Sequence, residues 1–295
     1  MILLFGAGGQ LGQELVALAA ARREALTGLS SAQADIADRE AVARAIAAAR
    51  PSLVVNVAAY THVDRAECEQ DRAARSNAKG ATVLAQACRK AALPLVHLST
   101  DYVFDGTKAG AYVETDAVRP LGVYGRTKAE GEDGVREQQP EHLILRTSWV
   151  YGPYGRNILK TVVRLAAEED ELRFVDDQRG CPTATADLAE AILRIAPRLE
   201  RRQPVWGTYH LAGTGATTWH GFARHVVAAQ AAATGRHPTV HAISTAERPT
   251  AAARPANSEL DSGLFARTFG FRAVPWREAV ERAVRRLLAT AAEVA

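Results

Sequence analysis

The sequence predicts an α/β protein, a doubly wound parallel sheet with helices on both faces, followed by a smaller mixed α/β lobe. Three observations carry this expectation. Through the first half of the 295 residues, short aliphatic and β-branched runs alternate with longer stretches whose apolar residues recur at helical spacing. The short runs lack the apolar/polar alternation of a one-sided sheet, as expected of parallel strands covered on both faces. A glycine-rich segment joins the first run directly to the first helical stretch.

Taken in order, residues 2–5 (Ile2-Leu3-Leu4-Phe5) form the first strand and residues 10–21 the first helix. The next run, Ala25-Leu26-Thr27-Gly28-Leu29, ends in Ser30-Ser31 where a second strand would end. Helices over 39–48, 72–91 and 122–136 then alternate with strands over 53–57, 95–98 and 143–145. Alanine tracts at 45–49 and 228–233 sit inside helical periodicity, which suits the residue with the best helix propensity. After about residue 150 the pattern mixes. Candidate strands at 173–175, 208–211 and 240–242 stand among helices at 184–196, 218–233 and 276–291. The expected division is therefore 1–150 for the doubly wound domain and 151–295 for the second lobe, with segments interleaved back into the first.

Composition narrows the function. Thirty-six Lys and Arg against 33 Asp and Glu leave a net charge of only +3, without a basic block, so neither nucleic acid nor an anionic membrane is expected as partner. No stretch approaches the ~18 consecutive apolar residues of a membrane span, and with a buried-strand pattern at the first residues no signal peptide is expected. Cys68, Cys88 and Cys181 are dispersed, with no C-x-x-C pair, which suits a reduced, cytoplasmic protein better than a disulfide framework or zinc site.

The glycine segment reads Gly6-Ala7-Gly8-Gly9-Gln10-Leu11-Gly12 and fits G-x-x-G-x-x-G through Gly6, Gly9 and Gly12. Glycines let a backbone turn tightly against a pyrophosphate, whose charge then meets free N–H groups and the positive end of the helix dipole. Placed between a first strand and a first helix, the motif predicts a Rossmann-type dinucleotide site. The acid that would select NADH at the end of the second strand is missing. Ser30-Ser31 stands there without an arginine to select a 2′-phosphate, so NADPH and NADH are both expected to bind. Asp35-Ile36 lies near the adenine or caps the next helix.

Two further segments carry chemistry. The strand over 95–98 runs into Ser99-Thr100-Asp101-Tyr102, at the strand end where open α/β sheets bind ligands. Tyr124 and Lys128 then lie four residues apart on one helix face. At ~4 Å and an effective dielectric of ~20, an ammonium attracts a tyrosinate by about 4 kcal/mol, enough to bring a phenol from near 10 towards neutrality. A general acid is then at hand.

These segments, with Asn56-Val57-Ala58-Ala59-Tyr60, Arg146-Thr147-Ser148-Trp149-Val150-Tyr151-Gly152 and Arg254-Pro255-Ala256-Asn257-Ser258, resemble the extended short-chain dehydrogenase/reductases. Within them the resemblance is to the dTDP-4-dehydrorhamnose reductase family, which makes dTDP-L-rhamnose for bacterial cell-surface polysaccharides, and it runs to about Trp276. It implies that Tyr124 donates a proton to the sugar oxygen, that Lys128 holds the nicotinamide ribose and tunes Tyr124, and that Thr100 hydrogen-bonds the carbonyl. It implies a coenzyme lined by Gln10, Leu11, Ala58, Ala59 and Tyr60, and Asn77 as support for the active-site lysine. Asp101, Trp149, Gln178 (in Asp176-Asp177-Gln178-Arg179-Gly180) and Arg254 would meet the nucleotide sugar. Trp149 has a core tryptophan as its alternative, Arg254 a surface salt bridge, and Thr218 is read as a helix N-cap.

The implied substrate is a dTDP-4-keto-6-deoxyhexose, and the implied state a monomer or homodimer. Some members of that family bind Mg²⁺ at a dimer contact, and no carboxylate cluster here marks such a site. A dehydratase would need a second carboxylate after Asp101, where Tyr102 stands. An epimerase and a non-catalytic NADP-binding regulatory subunit remain the alternatives.

Overall fold

The computed structural model of the chain describes residues 1–203 and 205–294. Its central sheet has six parallel strands. From one edge they run β2 (Leu26–Leu29), β1 (Ile2–Phe5), β3 (Leu53–Asn56), β4 (Leu95–Thr100), β5 (His142–Thr147) and Gly207–His210. Strand residues alternate between two cores, as a period of two requires. Ile2, Leu4, Leu53, Val55, Val96, Leu143 and Leu145 face α1 (Gln10–Ala21) and the helix Thr185–Glu200. Leu3, Phe5, Val54, Leu95 and Ile144 face α2 (Arg39–Ala49), Gly80–Lys90 and Val123–Gln138. Each such aliphatic side chain contributes ~1.5–3 kcal/mol on full burial, which makes both faces apolar and the sheet doubly wound.

A third core gathers Tyr151, Leu159, Phe174, Phe222, Val226, Trp276 and Val280 under the helices Ile158–Glu168, Trp219–Thr234 and Trp276–Val294. Here Glu171–Val175 pairs in parallel with Thr239–Ile243. Thr218 caps its helix by accepting the Gly221 N–H at 3.0 Å.

The candidate strand near 208–211 lies at Gly207–His210, hydrogen-bonded in parallel beside β5 at the edge of the main sheet. One expectation changes. The helix expected over 72–91 is interrupted by a π-type turn at Arg75–Lys79. There Asn77 turns inward, accepts the Tyr60 N–H at 2.8 Å and donates to the Tyr60 carbonyl at 3.1 Å. π-type turns inside α-helices are rare and frequently stand at functional sites.

Candidate active site

The C-terminal ends of β1, β3, β4 and β5 open on one edge of the sheet, along a cleft of about 950 Å³. At its floor the glycine loop is held by packing. Gly6 has φ +92°, and a Cβ there would come within 2.5 Å of the Ala58 nitrogen. A Cβ on Gly12 would stand 2.1 Å from the Gly6 carbonyl oxygen, so helix and loop meet at a distance only glycine allows. Gly9 caps α1 without a side-chain hydrogen bond, and no acid lies in the first helical turn. Free N–H groups and the positive helix end therefore face the cleft, an arrangement that fits a pyrophosphate.

Gly6, Gly9, Gln10, Leu11, Gly12, Ser30, Ala58 and Ala59 all line the cleft. Three residues expected there do not. The Asp35 carboxylate accepts from the Ala37 N–H at 2.9 Å and pairs with Arg75 at 2.6 Å. Ile36 is buried in the core against Gly80. Tyr60 is buried with its hydroxyl donating to Glu69 at 3.0 Å.

Thr100 ends β4, and the helix Val123–Gln138 brings Tyr124 and Lys128 to it. Thr100 donates to Asp101 Oδ1 at 3.0 Å and accepts the Tyr102 N–H at 3.2 Å, and it lines the cleft with Tyr124. Burial pushes the Tyr124 phenol up to about 12, with the Asp101 charge adding to the rise and Thr100 opposing it. The expectation of a phenol near neutrality is thus corrected. Desolvation is the largest cause, and the Lys128 Nζ donates instead to the Leu98 carbonyl at 2.6 Å. Burial also brings the Lys128 ammonium down to about 8, against the attraction of Glu132. Asn77 accepts the Tyr60 N–H, donates to the Tyr60 carbonyl, and donates to Thr127 Oγ1 at 3.1 Å, beside Lys128 in the chain.

Asp101 is buried beside this set, and its carboxyl is raised to about 6 by desolvation, despite hydrogen bonds from Ser258, Ser148 at 2.8 Å and Thr100. The folded chain then keeps a proton that the unfolded chain has already released. This carboxyl therefore adds a destabilising contribution that grows as pH rises from about 4 to 6 and is complete above it. The unfolding free energy of Asp101→Asn, relative to the native chain, should rise by about 2 kcal/mol between pH 4 and 7. Denaturant titrations at the two pH values measure this, and a pH-independent difference would show an ordinary carboxyl.

Trp149 lines the cleft in a left-handed conformation, φ +47°, with its ring stacked on Trp219 at 3.4 Å and 5°. Trp219, one residue into the helix that Thr218 caps, is the cleft's other indole, and no local periodicity links residues 70 positions apart. Gln178 lies behind the pair, accepting from Trp219 Nε1 at 3.2 Å and donating to Thr245 at 2.9 Å. Arg254 is bound to Asp64 at 2.8 Å and to the Ala252 carbonyl at 3.1 Å. Neither lines the cleft. Among the described residues no group of three or more His, Cys, Asp or Glu is placed to hold a metal ion, and no helix is long and apolar enough to cross a membrane.

A tyrosine and lysine one helical turn apart, reached by a strand-end threonine and sharing a cleft with a glycine cradle, belong to one class of protein: Rossmann-type oxidoreductases of the short-chain dehydrogenase/reductase kind. Within that class, residues 1–289 match the family described as "RmlD substrate binding domain", and the chain belongs to it. It is 45% identical over 285 residues to a dTDP-4-dehydrorhamnose reductase of Sinorhizobium fredii, covering 96% of each chain. The crystal structure of a dTDP-4-dehydrorhamnose reductase from Clostridium acetobutylicum superposes with TM-score 0.90 at 35% identity, over 97% of this chain and 99% of that one. A Bacillus anthracis dTDP-4-dehydrorhamnose reductase in complex with NADP gives 0.88 at 35% identity, over 97% and 98%.

Proposed function

We propose that this chain reduces the keto group of dTDP-4-dehydro-β-L-rhamnose to give dTDP-L-rhamnose, in the cytoplasm, for cell-surface polysaccharide. The observation that carries the reading is the meeting of Thr100, Tyr124 and Lys128 in the cleft that the glycine loop floors. The names of the similar proteins support the substrate. Residues 1–150 would then serve mainly the coenzyme, and 151–295 mainly the nucleotide sugar.

NADPH or NADH, cradled by Gly6, Gly9, Gln10, Leu11 and Gly12 and flanked by Ser30, Ala58 and Ala59, would supply the hydride when bound. Tyr124 donates its phenolic proton to the sugar oxygen. With its phenol at about 12 it holds that proton across the neutral range and releases it only to a developing alkoxide. Thr100 can turn its hydroxyl from Asp101 to the same oxygen. Lys128 supplies positive charge behind the phenol, and the Trp149 and Trp219 indoles wall the hexose. Asp101 faces the cleft beside Thr100, within reach of a sugar hydroxyl. The test is loss of reduced-nicotinamide absorbance with a panel of nucleotide 4-keto-6-deoxyhexoses. No turnover with any of them would favour a regulatory subunit.

Coenzyme choice follows from Ser30 and Ser31, which line the cleft while Asp35 is committed to Arg75. With neither an acid to repel a 2′-phosphate nor an arginine from β2 to bind one, kcat/KM for NADPH and NADH should agree within about one to two decades, ~1.4–2.8 kcal/mol. Steady-state kinetics with each coenzyme measure the ratio. A preference beyond about a thousandfold would assign the choice to another part of the cleft.

A further inference from the structure

Behind Lys128 lies a set of polar groups that the proposed reaction does not use. Asn56 ends β3 and stands in register with His97 of β4, and both are buried. Asn56 Oδ1 accepts the Ala58 N–H at 3.0 Å, which turns its Nδ2 towards His97 Nδ1, also at 3.0 Å. An amide nitrogen can only donate, so Nδ1 accepts, and a neutral imidazole then carries its proton on Nε2. That nitrogen lies 3.5 Å from Lys128 Nζ.

The opposite assignment would set the Asn56 amide nitrogen against the Ala58 N–H. It would give up a 3.0 Å bond to make an acceptor at 3.5 Å. Either assignment sets two donors against each other, at 3.0 Å between Asn56 and Ala58 or at 3.5 Å between His97 and the ammonium, and because a buried donor without a partner costs about 1–3 kcal/mol, the longer contact takes the mismatch. A protonated ring is excluded on the same ground, and burial together with Lys128 keeps His97 neutral.

We infer that Asn56 and His97 are positioning residues for Lys128, forming a one-way hydrogen-bond chain that starts at the Ala58 amide and ends in an N–H aimed at the lysine nitrogen. The ammonium finds no acceptor on that side. Its protons are directed to the Leu98 carbonyl and the cleft, and its neutral form is favoured. Other groups act on the pair from each packed element. Glu132 comes from the lysine's own helix and attracts its ammonium, and it is tied to Arg136 and to Arg146 of β5. Arg136 of that helix and His142 of β5 both disfavour a charged His97. Of these Glu132 stabilises the ammonium, so a donor from His97 works against it.

The inference rests on the proposed role of Lys128 only for its catalytic consequence. The direct test is ¹⁵N NMR of the full chain labelled in histidine, with His97 assigned by its contacts to Asn56. Protonated Nε2 with bare Nδ1 is expected, and the reverse tautomer overturns the inference. The second test follows the Lys128 ammonium titration by NMR in His97→Phe. Removing a donor should raise its pKa by about one unit, a tenfold change in ionisation ratio, whereas removing an acceptor would lower it. An unchanged or lowered value overturns the inference. Both readouts are independent of turnover, so an inactive protein would count against the reductase reading and leave this one standing.

Discussion

Tyr124→Phe is expected to lower kcat by ~10²–10⁴, the range for loss of a general acid, while coenzyme binding stays nearly intact. The half-buried phenol lines the cleft beside Thr100, and its hydroxyl is removed without a change in ring packing against Tyr102, whose centroid lies 6.0 Å away. Lys128→Met should behave differently and weaken both coenzyme affinity and rate, because its ammonium lines the cleft where the coenzyme is proposed to bind. Titrating NADPH binding and measuring single-turnover rates in both variants separates the two roles. A Tyr124→Phe protein with normal turnover would remove Tyr124 as the proton donor.

Arg146→Leu is expected to destabilise the fold by about 3–5 kcal/mol, as when one partner of a buried ion pair is removed. Arg146 Nε and one terminal nitrogen meet Glu132 at 2.9 and 2.7 Å, and neither side chain reaches solvent. Glu132 sits one turn beyond Lys128, so the pair fastens the catalytic helix to β5. Arg136, a third of it exposed, also holds Glu132 at 2.6 Å and keeps the loss towards the lower figure. The double variant Arg146→Leu with Glu132→Leu should recover part of the stability, because no charge is then left buried alone. Denaturant melts of the single and double variants decide this. A single-variant loss below about 1 kcal/mol would mean that Arg136 alone satisfies Glu132.

Much of the site was legible before any coordinates. The Gly6, Gly9 and Gly12 spacing and the Tyr124–Lys128 spacing are local, and each sits where a strand end and a helix face put it. Residues whose roles depend on distant partners were harder to read. Asp35 could have faced an adenine until Arg75, forty positions on, claimed its carboxylate. Arg254 had a free guanidinium in sequence and has Asp64 in space. The Tyr124 phenol was expected near neutrality from one charge at one distance, and burial by several elements reversed that.

By itself the sequence determined the doubly wound sheet, because apolar runs that bury both faces and amphipathic helices of the right length allow few other packings. It also determined the two chemical motifs, whose function depends on spacing along one backbone. Only the tertiary structure decided that Gly207–His210 closes the edge of the main sheet, that Trp149 stacks on Trp219, and that Asn56, His97 and Lys128 form one chain. Those contacts join residues tens of positions apart. They leave no period in the sequence, because they are selected by burial and by the direction of single hydrogen bonds.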